Sequence, residues 1–283
     1  MSARVGNPEA TLQFLGTGTS MGVPTLGCDC AVCISLDPRD RRMRPSVLVR
    51  WTEKDPGGAA QKRTVLIDTG PDFREQALAA GVRELDAVLY THSHADHILG
   101  LDDLRPLSFQ HMESTGEPIP LYASAETRAV MEHVFSYTFS QESTYSHRAR
   151  VELREIGDGV TVGRLRFEPV PVMHGEMEIV GWRFGRAAYL TDISAIPESS
   201  FRQLAGLDVL VLSALRHKPH PSHATVAQAV AWAERIGARR TWLTHISHDL
   251  GHEETDRSLP DGIALAWDGL SVEFEAAVSG RTE

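Results

Sequence analysis

The sequence lacks the features that define several protein classes. No apolar run approaches the ~20 residues that a membrane-spanning helix requires. The first residues, MSARVGNPEATLQFLG, contain no continuous apolar core of the kind that secretory signals carry. No short internal repeat and no low-complexity tract is present. We therefore expect a globular protein without a membrane partner.

Cysteine is scarce: the chain has three, and Cys28, Cys30 and Cys33 all lie in the stretch GCDCAVC. An odd number of cysteines cannot form a closed disulfide framework, and the C-x-C-x-x-C spacing is typical of reduced, metal-bound thiolates. This usage favours a cytoplasmic protein. Three thiolates leave one position of a tetrahedral zinc site to be filled by another residue.

Basic residues are outnumbered, because 28 Lys and Arg against 38 Asp and Glu give a net charge of −10. This balance disfavours broad, non-specific contact with nucleic acid, so we do not expect stable nucleic-acid binding. One local exception is DPRDRRMR, with arginines at positions 39, 41, 42 and 44. A solvated surface cluster and a phosphate-facing role both remain open for these arginines.

Strand-like runs and helical patterns alternate in both halves of the chain. Eight short runs are rich in β-branched and aromatic residues: TLQFLG, PSVLVRW, TVLIDTG, DAVLYTH, IPLYAS, AAYLTD, DVLVLSAL and RTWLTH. Helical patterns occupy PDFREQALAAG, AETRAVMEHVF and ATVAQAVAWAERIG. This alternation predicts an α/β fold with layered sheets and outer helices. We predict a single domain over residues 1–283, a β-meander over 160–190, and a lid or insertion at about 136–150.

The strongest chemical signal is THSHADH, which holds His92, His94, Asp96 and His97 directly after the apolar strand DAVLY. Two histidines one residue apart at a strand end can face the same metal, and the following Asp and His can face a second one. Imidazole and carboxylate hold Zn²⁺, Mn²⁺ or Fe²⁺ while leaving positions open for water. Four candidate ligands in six residues therefore predict a metal centre.

Further candidate ligands follow other predicted strands. His174 lies in PVMHG, Asp192 ends AAYLTD, and His245 ends RTWLTH. All three are placed at carboxyl ends of strands, where ligands gather in open α/β folds. Asp68, in TVLIDTG, is placed similarly, and we expect it either to bind metal or to orient a metal-bound histidine.

The motif THSHADH matches the H-x-H-x-D-H signature of the metallo-β-lactamase superfamily, and His174, Asp192 and His245 follow in its order and approximate spacing. Four further segments narrow the resemblance: GTGTSMGVPTLGCDCAVC, HILGLDDLRPL, YLTD and THISH. Together they resemble the PhnP-type phosphodiesterases, accessory proteins of the carbon–phosphorus lyase pathway and their relatives, over essentially the whole chain. The resemblance implies an αβ/βα four-layer sandwich of two packed β-sheets with outer helices.

The resemblance also implies ligands for two divalent ions, Mn²⁺ or Zn²⁺. In that family pattern one ion is bound by His92, His94 and His174. The second ion is bound by Asp96, His97 and His245, and Asp192 bridges the two ions. Classical β-lactamases have a cysteine in place of the bridging carboxylate, so β-lactam hydrolysis is not expected. Glyoxalase-type thioester hydrolases share these ligands and are excluded less firmly.

The implied activity is hydrolysis of a small or cyclic phosphodiester. Two metals ~3.5–4 Å apart favour deprotonation of a bridging water, and the metal-bridging hydroxide attacks phosphorus in line. We expect Asp96 and Asp192 to be the catalytic carboxylates. The leaving alkoxide needs a proton, for which RHKPHPSHAT offers His217, His220 and His223. We favour His223, because PSHAT resembles the H-S-T segment of RNA-processing relatives; a capped helix start with surface histidines is the alternative.

The cysteine trio lies far in sequence from THSHADH, and the catalytic ligands are complete without sulfur. A structural role is therefore expected for the loop at about 27–33. In PhnP-like proteins a structural zinc is held by a similar trio and a histidine of the THISH segment, which implies His248 as the fourth ligand. Water or His252 is the alternative. Such a zinc would join this loop to the last catalytic strand.

Two other functions remain open. A transfer-RNA 3′-processing endonuclease needs an RNA-gripping arm, and no Gly/Pro-rich basic protrusion is evident in the sequence. Pyrroloquinoline-quinone biosynthesis proteins resemble the chain around the cysteine trio and suggest a carrier role, against which the complete ligand set weighs. The exact substrate, the native metal and the oligomeric state, a homodimer included, are left open.

Overall fold

The structure, a computed structural model, describes residues 9–55, 57–140 and 144–276. Within these ranges, two seven-stranded sheets pack face to face. The first sheet has the order β14-β1-β2-β3-β4-β5-β6, and its strands are β1 (Glu9–Gly16), β2 (Ser46–Lys54), β3 (Ala60–Ile67), β4 (Ala87–Leu89), β5 (Ile119–Ala123), β6 (Val151–Glu155) and β14 (Ser271–Glu275). The second has the order β13-β12-β11-β10-β9-β8-β7, with β7 (Val160–Val162), β8 (Leu165–His174), β9 (Met177–Phe184), β10 (Ala187–Leu190), β11 (Val209–Ser213), β12 (Arg240–Thr244) and β13 (Ile263–Leu265).

Central strands are apolar on both faces because both faces are buried. In β2, Val47 and Val49 contribute to the core between the sheets, whereas Leu48 faces the outer core of the first sheet. In β11, Val211 likewise faces the central core and Leu212 the outer core of the second sheet. Successive side chains of a strand point to opposite faces, so a continuous apolar run fits a strand covered on both sides.

Helices cover both outer faces and complete the four layers. Leu66 and Val88 of the first sheet cluster with Phe73 and Met131, while Leu210 of the second clusters with residues of the helix that follows Thr225. The α-helices of the described ranges are α1 (Phe73–Ala79), α2 (Ala95–Ile98), α3 (Arg105–Thr115), α4 (Ala125–Val134), α5 (Ser136–Phe139), α6 (Glu198–Gln203), α7 (Val226–Ile236) and α8 (His252–Ser258). Apolar area removed from water contributes roughly 25 cal/mol per Å², so three such cores provide the main stabilisation of the sandwich. The predicted fold class is confirmed.

Parallel pairing brings the carboxyl ends of several strands to one edge. Strands β3 to β6 pair in parallel in the first sheet, and β10 to β13 pair in parallel in the second. The segments that follow β3, β4, β10 and β12 therefore leave the sheets at the same edge. Those segments carry most of the candidate ligands.

Most predicted elements agree with the structure. All eight strand-like runs contain a strand, the three helical patterns contain α1, α4 and α7, and residues 160–190 form an antiparallel meander of β7 to β10. Strands β6, β13 and β14 and helices α3, α6 and α8 were not predicted, because their patterns are short or largely polar.

The polar segment at about 136–150 was predicted as a lid or insertion. It begins with α5 and joins the first sheet through β6; residues 141–143 of this prediction lie outside the described residues. The single-domain prediction stays a prediction. Among the residues that the structure covers, there is no helix with the length and apolar character needed to span a membrane.

Candidate active site

The candidate site lies where strands of both sheets end. Asp68 directly follows β3, Asp192 follows β10 and His245 directly follows β12. These three residues have positive φ angles of 65°, 57° and 57°. A left-handed backbone is uncommon outside glycine, and such strain concentrates at functional sites, where the surrounding packing maintains it. The sharp turns are therefore a local sign that these side chains are held for a purpose.

Three histidines form the first ligand group. The ring centroids of His92 and His94 are 4.6 Å apart, and that of His174 lies 5.5 Å and 5.0 Å from them. One ligand atom from each lies within 4.8 Å of the others. The Nδ1–H of His174 donates to the carbonyl oxygen of Ser222 at 2.7 Å, which leaves Nε2 unprotonated and available to a cation.

Two histidines and two carboxylates form the second group. Ligand atoms of Asp96, His97, Asp192 and His245 all lie within 4.8 Å of one another, and all four residues are buried. The Oδ1 of Asp192 is 3.3 Å from His97 Nε2, and its Oδ2 is 3.1 Å from His245 Nε2. The same Oδ2 is 3.9 Å from His92 Nε2 of the first group. Asp192 therefore lies between the two groups, in the position that a bridging ligand occupies.

Unpaired polar atoms at this centre fit metal ions. Buried atoms without a hydrogen-bond partner include the Nε2 atoms of His92, His97 and His245 and the Oδ2 of Asp96. Buried polar groups are nearly always paired, and several unpaired nitrogen and oxygen atoms close together are costly unless a cation binds them. The donor set of nitrogen and carboxylate oxygen suits Zn²⁺ and Mn²⁺. The residues present thus fit the two divalent ions that the fold family implies.

Asp68 lies behind the ligands and does not belong to either group. Its Oδ2 accepts from His97 Nδ1 at 2.8 Å, which directs the Nε2 of that ring toward Asp192. Burial raises the pKa of the Asp68 carboxyl, and the adjacent His97 opposes that shift. Of the two sequence-based expectations for Asp68, the geometry matches the orienting one.

Charges among the ligands compensate one another. Burial alone would raise the pKa of Asp192, but His245 and His97 outweigh it and hold this pKa well below its ordinary value. Burial lowers the pKa of His245, but Asp192 raises it to about 9; Asp96 and Asp192 likewise outweigh burial and raise the pKa of His97. A divalent ion that binds here displaces the protons on these rings, so binding is expected to release protons.

His223, the predicted general acid, is partly buried beside both ligand groups. Its ring centroid is 4.7 Å from that of His174 and 4.8 Å from that of His245, with the latter pair stacked at 21°. Burial, and then the charge of His245, lower the pKa of His223 to about 3. One ligand atom of His223 also lies within 4.8 Å of those of His174 and Asp192. The ring is therefore placed either to contact substrate or to bind an ion.

The other two histidines of the same loop differ in position. His220 is half-buried, with its ring centroid 4.9 Å from that of His223. His217 is exposed. A capped helix start is also present, since Thr225 and Gln228 form a reciprocal capping box at the beginning of α7. The cap therefore holds the loop while His223 still faces the ligand groups.

The cysteine trio and His248 lie together, away from the histidine centre. The Sγ atoms of Cys28, Cys30 and Cys33 are 3.2, 3.6 and 3.4 Å from His248 Nδ1. The four ligand atoms lie within 4.8 Å of one another. Three thiolates and one imidazole are the donor set of a closed tetrahedral zinc site. The loop thus meets the segment that follows β12, as the sequence suggested.

The arginines at positions 39 to 44 do not form one solvated cluster. Arg39 pairs with Asp37 at 2.7 Å and Arg44 with Asp72 at 3.1 Å, all at partly exposed sites. Arg42, by contrast, is only 2% exposed. The surface-cluster interpretation is therefore wrong for Arg42, because its side chain turns inward to satisfy buried acceptors.

Arg42 joins the N-terminal loop to the C-terminal segment. Its guanidinium donates to Thr17 Oγ1 at 2.8 Å, to the Ala266 carbonyl at 2.6 Å and to His252 Nδ1 at 2.9 Å. The partly buried carboxylate of Asp268 accepts from Thr17 Oγ1 at 2.7 Å. His252 is thus an acceptor for Arg42 and is not part of the cysteine group, which argues against it as the fourth zinc ligand.

Two contributors to the site were not singled out from the sequence. Thr91 places its hydroxyl between Asp68 and His92, and Ser222 contributes its backbone carbonyl to His174. In the sequence, Thr91 is indistinguishable from the last β-branched residue of a strand. The carbonyl of Ser222 gives no signal either, because every residue has a backbone carbonyl. Only the adjacency of Thr91 to the H-x-H motif could have indicated a role.

Comparisons with known proteins identify the family and the fold of the chain. The family model described as "Beta-lactamase superfamily domain" matches residues 63–246, well over half of the chain. A crystal structure described as a new diphosphatase from the PhnP family is 55% identical, with a TM-score of 0.85, covering 95% of this chain and 98% of that one. PqqB from Methylobacterium extorquens is 20% identical, with a TM-score of 0.68, over 93% of this chain and 99% of that chain; it shows likeness of fold alone.

Two curated relatives differ in how much of their own length the chain spans. A protein named octanoyltransferase from Porphyromonas gingivalis is 39% identical over 91% of this chain, but the chain spans only half of that protein's length. A ribonuclease Z from Mycolicibacterium gilvum is 27% identical over 78% of this chain and 85% of its own length. The shared region therefore occurs both as most of a protein and as one half of a larger one.

Proposed function

The chain belongs to the PhnP family of the β-lactamase superfamily. We propose that it is a metal-dependent hydrolase and that it hydrolyses a small or cyclic phosphodiester. The observation that carries the proposal is the position of Asp192, a buried carboxylate within 4 Å of ring nitrogens from both ligand groups. A carboxylate so placed can hold two divalent ions side by side.

Two ions bound here supply an activated water nucleophile and neutralise charge on the phosphate oxygens. We propose that His92, His94 and His174 hold one ion, that Asp96, His97 and His245 hold the other, and that Asp192 bridges them. Either Zn²⁺ or Mn²⁺ suits this donor set. The residues themselves fix the spacing of the ions and keep the floor of the site dry, since all of them except His94 are buried.

His223 is proposed to protonate the leaving oxygen. It lies beside both ligand groups and is partly buried, so a substrate oxygen bound between those groups and this ring is partly shielded from bulk water. Burial and the charge of His245 lower the pKa of His223 to about 3, and the negative charge of a bound phosphodiester would oppose that shift.

The substrate class includes phosphoanhydrides. The 55% identical relative is named a diphosphatase. In a diphosphate that carries an organic group at each end, each phosphorus has one ester linkage and one P–O–P linkage, so it is disubstituted like the phosphorus of a phosphodiester. The same in-line displacement therefore cleaves an alkyl ester or an anhydride, and the leaving group alone differs.

Transfer-RNA 3′ processing is the second candidate function. Ribonuclease Z relatives align over most of their own length, which favours it. The net charge of −10 disfavours it, because RNA binding depends on neutralisation of phosphates. A carrier role receives support from fold likeness alone.

The proposal is tested with one panel of substrates. Purified protein loaded with Mn²⁺ or Zn²⁺ is assayed against bis(p-nitrophenyl) phosphate, a 2′,3′-cyclic nucleotide, a five-membered cyclic sugar phosphate, a dinucleoside diphosphate and a precursor transfer RNA. We expect turnover of a small diester or diphosphate and slow or no cleavage of the RNA. Absence of turnover on every small substrate, with two ions per site measured, contradicts the proposal.

We also propose that Cys28, Cys30, Cys33 and His248 hold a structural zinc. The Sγ atom of each cysteine lies 3.2–3.6 Å from His248 Nδ1. His248 lies three residues after His245, so a zinc ion bound here would restrain the backbone next to His245, a proposed ligand of the dinuclear centre. Metal binding of this kind contributes directly to folding free energy.

Replacing Cys30 with serine is expected to lower the zinc content from three ions per chain to two, because hydroxyl oxygen is a poor zinc ligand. The melting temperature should fall, while kcat per folded molecule changes little. Mass spectrometry of the metals and thermal denaturation measure both. Asp29→Asn, an exposed neighbour in the same loop, is the matched control and should keep all three ions. A Cys30→Ser protein with three zinc ions would contradict the assignment.

A further inference from the structure

We propose that Thr91 is a positioning residue that connects the ligands of both metal ions through one shared carboxylate, Asp68. The inference rests on the proposed dinuclear centre, and it concerns residues that bind no metal. It predicts that the two metal sites are coupled through hydrogen bonds between protein residues that do not bind the ions.

Hydrogen bonds around Asp68 define the connection. Its Oδ1 accepts from the backbone N–H of Thr91 at 2.8 Å, and its Oδ2 accepts from the Thr91 hydroxyl and from His97 Nδ1, each at 2.8 Å. Asp68 is fully buried and Thr91 is 1% exposed. With three donors directed at it, this side chain acts as a carboxylate acceptor at every contact.

The direction of the Thr91 hydroxyl follows from its partners. A hydroxyl has one proton, and this proton is donated to Asp68. Two ring nitrogens lie near the oxygen of Thr91: His92 Nδ1 at 3.0 Å and His97 Nδ1 at 3.4 Å. Because His97 Nδ1 donates its proton to Asp68 at the shorter distance of 2.8 Å, the Thr91 oxygen accepts mainly from His92 Nδ1. This bond places the proton of His92 on Nδ1 and leaves Nε2 free, as Asp68 does directly for His97.

Each ligand group thus receives one histidine oriented from the same carboxylate. Asp68 orients His97 of the second group directly and His92 of the first group through the Thr91 hydroxyl. The ring centroids of these two histidines are only 4.1 Å apart. A change at Asp68 should therefore reach both sites, whereas a change at the Thr91 hydroxyl should reach the first.

Strand pairing explains why these residues meet. β3 and β4 are parallel, with Ile67 opposite Leu89, and Asp68 N donates to the Leu89 carbonyl at 2.9 Å. The residues that follow the two strands therefore lie side by side. Thr69 N donates to the His97 carbonyl at 2.8 Å, which fixes α2 against the same turn. The connection is built into the sheet edge and does not depend on a mobile loop.

Thr91→Val, which is nearly isosteric, should weaken the ion held by His92, His94 and His174 by about 10–100-fold and change the affinity of the other site by less than about threefold. Thr91→Ser retains the hydroxyl and should restore the affinity of the first site. Asp68→Asn should weaken both sites. Adding Thr91→Val to Asp68→Asn should have little further effect on the first site, since residues in one hydrogen-bond network are not additive.

The measurement is titration of the metal-free full chain with Co²⁺, followed by its absorption spectrum and by competition with a chelator. His94→Ala, at an exposed ligand, identifies which titration step belongs to the first site. Far-UV circular dichroism and melting temperature check that each variant folds; if Thr91→Val does not, Thr91→Ala is compared with Thr91→Ser in its place. Because only binding is measured, the outcome does not depend on which phosphodiester is the substrate.

Two results overturn the inference. One is wild-type affinity at both sites in Thr91→Val. The other is an equal loss at both sites in Thr91→Val and Thr91→Ser, which indicates general disturbance of packing and no role for the hydroxyl. Failure of the proposed activity with both metal affinities as expected leaves the inference standing and removes only the proposed function.

Discussion

Replacing Asp192 with alanine is expected to abolish hydrolysis of every diester while the cysteine-bound zinc stays in place. The carboxylate lies 3.1 Å from His245 Nε2, 3.3 Å from His97 Nε2 and 3.9 Å from His92 Nε2. Its removal takes away the carboxylate between the two ligand groups. In the proposed centre that carboxylate would bind both ions and offset part of their positive charge.

The expected loss in kcat/KM is about 10³-fold or more, because metal ions supply several kcal/mol of transition-state stabilisation and each 1.4 kcal/mol is a factor of ten in rate. Metal analysis should find the zinc of the Cys28–Cys33 loop retained and the dinuclear ions reduced. Asp261→Ala, at an exposed carboxylate, is the control and should behave as wild type. Activity within tenfold of wild type in the Asp192 variant contradicts a bridging role.

The second large effect is expected for His223→Ala, and it should depend on the leaving group. An alkoxide leaves as a strong base and needs a proton in the transition state, whereas p-nitrophenolate is stable without one. General-acid catalysis contributes 10²–10⁴-fold. We therefore expect a loss in that range with a cyclic nucleotide and a loss of less than about tenfold with bis(p-nitrophenyl) phosphate.

The geometry gives this experiment a second possible outcome. His223 also lies within 4.8 Å of His174 and Asp192, so it could hold an ion. In that case the variant loses activity equally on both substrates and binds less metal. His217→Ala, an exposed histidine of the same loop, is the matched control. Equal losses with unchanged metal content would rule out both roles and point to a structural one.

Much of the architecture was predictable from the sequence because burial leaves a direct imprint on it. Runs such as VLVLSAL are apolar on both faces of a strand, and the sandwich buries both faces. The strands β6 and β14 gave no such signal: they lie at the edges of the first sheet, and their exposed faces carry charged side chains. Edge strands tolerate polar residues because only part of their surface is buried.

The candidate ligands were predictable for a different reason. Metal chemistry requires particular side chains, and THSHADH concentrates four of them where a strand must end. The structure brings the distant His174, Asp192 and His245 to the same place, and it brings Cys28 to His248. The roles assigned to these residues as metal ligands stay predictions until ions are measured.

The amino-acid sequence and the family resemblance that it carries predicted the fold class, the residues of both ligand groups and the pairing of the cysteine trio with His248, since each depends on residue type and order. Tertiary contacts decided the rest. They turned Arg42 inward, gave His252 to Arg42 and not to the cysteines, placed Asp192 between two groups, and aligned Asp68 with the Thr91 hydroxyl. The role of a hydroxyl or a guanidinium cannot be predicted from its position in the sequence, because that role depends on which hydrogen-bond partners the fold places within about 3 Å of it.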